Sequence, residues 1–191
     1  PSCVSTRNHG AHSSQVPRWY SFGIARSSPP SPAAASAFRN TAANWSTDSV
    51  PTSAVDVTID GAVTSLVIND TAACNGFDMS GAGAGFTLSG TSELETFGSV
   101  VMKSGMTWSY SGPWALRGTG SITSNSVHIA SRAKIRGIIS LVDAFYTSSF
   151  LYIYSNGSSL TTNNNTITCS SFSDAEQANT ITLTLGSSTI N

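Results

Sequence analysis

From residue 55 onward the chain reads as short alternating runs. Apolar residues recur at every second position for four to six residues, and Gly, Ser, Asn or Asp then interrupts. In residues 55–59 (VDVTI), Val55, Val57 and Ile59 fall on one side, and SLVI follows at 65–68. Period-two alternation is the signature of a strand with one buried face. Asp60-Gly61 and Asn69-Asp70 mark turns between runs. Helical spacing is not sustained. Only residues 173–179 (SDAEQAN) predict a short helix, opened by a capping-box-like Ser173 and Glu176.

A phrase then repeats. Phe86-Thr-Leu88-Ser-Gly90 is followed by Leu94, Trp114-Ala-Leu116-Arg-Gly118 by Ile122, and Ile181-Thr-Leu183-Thr-Leu185-Gly186 by Ile190. Leu151-Tyr-Ile153-Tyr-Ser-Asn-Gly157, followed by Leu160, is a slightly displaced copy. The glycines at 90, 118, 157 and 186 are spaced by 28, 39 and 29 residues. The longer middle interval reads as an insertion in one coil. The alternating run supplies inward residues, Gly allows a sharp corner, and the next apolar residue begins a new face.

Two all-β architectures fit. A sandwich would use Asn75-Gly76 and Asn156-Gly157 as hairpin turns. A parallel solenoid would use the recurring phrase to stack coils, and the repetition favours it. Asn163, Asn164 and Asn165 suit either a stacked Asn ladder or a plain polar turn. The closing TLTLGSSTIN has no polar or Pro-rich cap, which reads as a solenoid that continues or is covered by a partner.

Residues 1–41 differ. Pro, Ser and Ala clusters without a sustained period predict a low-complexity or disordered leader, and 42–191 the repeat domain. Trp19, Tyr20 and Phe22 are the only candidate anchors in that leader.

Composition narrows the function classes. Only 10% of residues are charged, against about 25% in an ordinary soluble domain. The net charge of −1 offers no electrostatic case for nucleic acid. No apolar run reaches the length of a membrane span. Three cysteines (Cys3, Cys74, Cys169) are too few and too scattered for a disulfide framework or a zinc site, and Cys74 and Cys169 read as buried free thiols.

Among the carboxylates, Glu93 and Glu95 flank Leu94, so a strand would place both on the wet face. That is the arrangement a polysaccharide-degrading enzyme would need to start from. Asp56, Asp60, Asp70 and Asp78 lie at turns, without a calcium-loop motif, and read as turn caps rather than metal ligands. His128 alternates with Val127 and Ile129 and is expected to face outward. Arg132, Lys134 and Arg136 form a basic stripe on one strand face, suited to solvent, an acidic glycan or a neighbouring subunit. The aromatic pairs Trp108 and Tyr110, and Tyr152 and Tyr154, are the candidate ligand-binding residues, as an exposed ladder for sugar rings or for a second chain. No catalytic, metal or cofactor motif stands out.

The stretch NWSTDSVPTSAVDVTI, with Trp45, Pro51 and Asp56-Val57-Thr58-Ile59, resembles the opening of phage and bacterial surface β-helix proteins. Residues 137–190 resemble a repeat of the same group, with Ile139 where that repeat usually has Trp. The resemblance implies a right-handed parallel β-helix in a virion or extracellular surface protein. It further implies a non-enzymatic structural or adhesive fibre, tail-fibre-like, acting through homo-oligomers or cell-surface glycan. It carries over no catalytic residue.

Overall fold

The structure is a computed structural model, and it describes residues 23–25, 37–38, 45–46, 49–174 and 180–191. The chain is a parallel β-solenoid with three faces per coil. Every strand pairing is parallel, which rules out hairpins at Asn75-Gly76 and Asn156-Gly157.

The first face stacks eight strands in chain order: β1 (Gly23–Ala25), β3 (Val57–Ile59), β6 (Phe77–Asp78), β9 (Val100–Val101), β12 (Thr119–Thr123), β15 (Ile138–Leu141), β18 (Ser159–Thr161) and β21 (Thr182–Thr184). The second face stacks β2 (Ala37–Phe38), β4 (Ser65–Ile68), β7 (Thr87–Gly90) and β10 (Thr107–Trp108). It continues beside them with β13 (His128–Ile129), β16 (Phe145–Thr147) and β19 (Ile167–Thr168), and Ile190 bridges to Ile167 at its end. The third face stacks β5 (Ala72–Cys74), β8 (Leu94–Thr96), β11 (Trp114–Leu116), β14 (Ala133–Ile135), β17 (Phe150–Ile153) and β20 (Ser171–Asp174). About six coils, each visiting the faces in this order, make up the body.

Two departures concern the ends. Within the segment read as an irregular leader, β1 and β2 are strands paired in parallel with β3 and β4. The rest of that segment, with Cys3, Trp19, Tyr20 and Phe22, lies outside the described residues. The helix expected at 173–179 begins instead as strand, with Ser173 and Asp174 paired to Tyr152 and Ile153. Residues 175–179 lie outside the described residues.

The coil length also differs from the spacing of the repeated phrase. Val57 pairs with Phe77, Phe77 with Val100 and Val100 with Ile122, steps of 20, 23 and 22 residues. The phrases around Gly90, Gly118 and Gly186 therefore sit on the second, third and first faces respectively. The long interval from Gly118 to Gly157 holds no insertion. It spans two coils, because Trp114 pairs with Ala133, which pairs with Leu151.

Inward positions of all three faces merge into one apolar column, from Trp45 through Phe86, Leu94 and Leu116 to Ile167. Trp114 and Trp108 lie within it, ring centroids 5.4 Å apart. Their indole N–H groups donate to Thr96 Oγ1 (3.2 Å) and Ser131 Oγ (3.1 Å), both buried. Such partners let large aromatics enter a core without an orphaned donor.

Corners follow backbone demands. Between the first and second faces the chain turns through left-handed residues in five coils, at Gly85, Gly105, Asn125 and Ser126, Asn163 and Asn164, and Gly186, but not between β3 and β4 or between β15 and β16. Asn tolerates that conformation and its side chain bonds locally. Here the amides bond along the solenoid axis, but to backbone and Ser rather than to other Asn. Asn163 Nδ2 donates to Leu141 O at 2.9 Å, Asn125 Nδ2 to Met102 O at 2.7 Å, and Asn164 Oδ1 accepts from Ser187 N at 2.9 Å. Between the third and first faces, Gly118 and Gly137 permit a close approach of consecutive coils.

Candidate functional site

The third face gathers the chemistry. Residues pointing out of it align in three columns along the axis. The central column runs Ala73, Glu95, Ala115, Lys134, Tyr152 and Ser173. The columns either side follow from the same register. One holds Glu93, Arg132 and Phe150, and the other Arg117, Arg136 and Tyr154. Four of the five Lys and Arg residues after residue 41 are therefore on this face, Lys103 being the exception.

These side chains engage one another across coils. Arg117 Nε and Nη2 both donate to Glu95 Oε1 at 2.6 Å. Lys134 Nζ reaches Glu93 Oε1 at 3.4 Å, two coils away. Ala115 is fully buried although it points out of the sheet, because its neighbours in the column are the long side chains of Glu95 and Lys134. The Arg136 guanidinium lies over the Tyr154 ring at 4.3 Å, with Lys134 Nζ at 5.9 Å from the same ring. Phe150 and Tyr152 lie nearly parallel, centroids 5.6 Å apart and planes 10° apart, and Phe150 is 44% exposed.

Glu93 and Glu95 share the outer face around a buried Leu94, as alternation predicts. Each carboxylate is engaged by a cation, so the geometry gives no reason to assign them hydrolytic roles. Three of the four carboxylates read as turn caps accept from backbone N–H groups of their own turns: Asp60 Oδ1 from Ala62 N, Asp70 Oδ1 from Thr71 N and Asp78 Oδ1 from Ser80 N, each at 2.8 Å, whereas Asp56 Oδ1 accepts from Asn75 Nδ2 (2.8 Å) and Gly76 N (2.7 Å) of the next coil. Among the described residues no group of three or more potential metal ligands forms. Cys74 is buried, as expected, and takes part in no disulfide. Cys169 is free but only half-buried, and burial pushes its thiol up, away from nucleophilic use.

The four candidate aromatics do not form one plane. Trp108 and Tyr110 are buried and belong to the core. The residues that alternate with them, Thr107 and Ser109, are the exposed ones. The Tyr110 hydroxyl lies between Ser92 O (2.5 Å) and Pro113 O (2.8 Å), and burial pushes it well above its ordinary range. No surface ligand reaches either ring. Tyr152 and Tyr154 do point outward, next to the basic stripe.

Compared with known families, curated proteins and solved structures, the chain matches none of them. The site therefore rests on its own geometry.

Sequence reasoning passed over Phe150. It stands two residues before Tyr152 and four before Tyr154, so the alternation that turned the tyrosines outward applied to it as well. A second outward aromatic contact also escaped notice. His128 is exposed as expected, but it stacks on Tyr146 of the next coil at 3.5 Å with planes 16° apart. Nothing in either run by itself shows that these two residues share a register.

Proposed function

We propose that this protein is a non-enzymatic, surface-displayed solenoid of a virion or cell exterior, working by contact with cell-surface glycan and with further copies of itself. The observation that supports the reading is the sorting of side chains among the faces. The third face holds the outward aromatics Phe150, Tyr152 and Tyr154 and four of the five cations among the described residues. By contrast, Ser99, Ser121, Ser140, Thr161 and Thr184 form an uncharged column on the first face. Aromatic rings beside hydrogen-bonding cations are what a flat sheet uses to hold sugar rings. On the first face, Ile138 (55% exposed) and Val142 (56%) supply apolar area for a second copy.

The test is glycan binding by the full chain on a panel of cell-surface polysaccharides, with Tyr152→Ala and Phe150→Ala as variants. The reading expects binding that both variants weaken, while Thr107→Ala on the second face leaves it unchanged. Binding indifferent to both third-face variants would remove the face from consideration, and no binding at all would leave self-association as the only contact.

A further inference from the structure

The third face is not electrostatically balanced. Of its three carboxylates, Glu95 and Glu93 are taken up by Arg117 and Lys134, and Asp174 is exposed at the end of β20, against four cations. Arg132 and Arg136 are left over, one at each end of β14, which carries Lys134. Arg132 is exposed, and among the described residues no carboxylate pairs with it. Arg136 spreads its guanidinium over Tyr154, yet its Nε is shut off from solvent with no hydrogen-bond partner. Arg132 and Arg136 are four residues apart, so their Cα atoms are separated by about 13 Å along the strand. The next coil, about 4.8 Å away, sets Phe150 beside Arg132 and Tyr154 beside Arg136.

We infer that the third face is selective for an anionic polysaccharide, with Arg132 and Arg136 taking its charged groups and Phe150 and Tyr152 packing against a sugar ring. This rests on the glycan-contact reading above and narrows it to a charge class. The guanidinium fork pairs with carboxylate and sulfate oxygens alike, so both sources of charge fit the site. Nucleic acid fits less well, because among the described residues Lys103 is the one cation outside this face that could follow a phosphate backbone.

The experiment compares the full chain and the variants Arg132→Gln and Arg136→Gln on polygalacturonate, dextran sulfate and neutral dextran, at low and high salt. Arg132 is exposed and, among the described residues, its side chain makes no hydrogen bond or ion pair, so its variant is expected to keep the fold. The circular-dichroism melt of each variant is checked against the parent. The inference expects binding to one or both anionic polymers, weakened about tenfold by each variant and by added salt, with little binding to neutral dextran. Preference between the two anionic polymers tells carboxylate from sulfate. Equal binding to neutral dextran, unchanged in Arg132→Gln, would overturn the anionic selectivity and leave the glycan face standing. Failure to bind any of the three, alongside failure on the wider panel, would overturn both. Duplex DNA bound as tightly as the polysaccharides would also overturn it, as it would reduce the stripe to a general polyanion patch.

Discussion

Gly118 is the position at which one added methyl group should most clearly test the solenoid's coil spacing. It stands at the corner between the third and first faces. A Cβ there would overlap the carbonyl of Phe97 in the preceding coil and press on its Cα as well. Both neighbours are backbone, so no side chain can swing aside. Relief requires the coils to part locally. The bonds at risk are Arg117 N to Thr96 O (2.8 Å) and Ile138 N to Gly118 O (2.9 Å). Losing two ladder bonds costs about 2 kcal/mol, and the overpacking itself adds about 1–3 kcal/mol. Gly118→Ala is therefore expected to destabilise by about 3–5 kcal/mol. Gly157→Ala is the control. No atom lies within 4 Å of its would-be Cβ, and its φ of +78° is the sole objection. A left-handed alanine costs about 1–2 kcal/mol. Urea unfolding followed by far-UV circular dichroism separates the two. With a slope of about 2 kcal/mol/M, the midpoint should fall by roughly 1.5–2.5 M for Gly118→Ala and about 0.5–1 M for Gly157→Ala. If Gly118→Ala unfolds at or above the midpoint of Gly157→Ala, the close approach of coils at this corner is wrong.

Two other perturbations follow from the same coordinates. Tyr110 stays protonated in the fold at a pH where an unfolded tyrosine, with its ordinary value near 10, ionises. Its contribution is thus complete below about pH 10 and declines as pH rises above that. Tyr110→Phe should lose about 1 kcal/mol at neutral pH but show a shallower fall in stability above pH 10, and equal alkaline slopes in the two proteins would contradict the buried hydroxyl. Arg117→Met leaves Glu95, whose side chain is 19% exposed, without its fork. A loss of about 1 kcal/mol, partly restored by adding Glu95→Gln, is expected in denaturant melts, and a fully additive double variant would mean that the pair contributes nothing.

Where sequence and fold agree, the reason is local. Strand existence, the outward turn of Glu93, Glu95 and His128, and the role of Asp60 and Asp78 at turns depend only on alternation and on residues two positions away. Those are read correctly from a single run. Coil length depends instead on which runs lie above one another, and here the repeated phrase misleads. It marks any strand that ends at a corner, and a three-faced coil has three such places. Copies on different faces then look like copies one coil apart. The axis-directed bonds of Asn125, Asn163 and Asn164, and the ion pairs of Glu93 and Glu95, are hidden for the same reason, since each joins residues 22 to 41 apart whose register is a property of the stack.

The aromatic candidates show what alternation does and does not decide. It separates two sets of residues but does not say which set goes inside. That choice falls to the set whose burial removes more apolar area from water. In 106–110 (MTWSY) the contest is between Met106, Trp108 and Tyr110 on one side and Thr107 and Ser109 on the other, so the aromatics go in. In 150–154 (FLYIY) both sets are apolar: Leu151 and Ile153 against Phe150, Tyr152 and Tyr154. The inward slots of β17 lie between those of β14, filled by Ala133 and Ile135, and those of β20, where Phe172 stands opposite Leu151. A column that already holds Ile135 and Phe172 has room for Leu and Ile, not for three rings. The aromatics are turned outward because the column leaves no room for them. They come to rest against β14 and its flanking Arg132 and Arg136, where their exposed area, left over from folding, is what the proposal above reads as a contact surface.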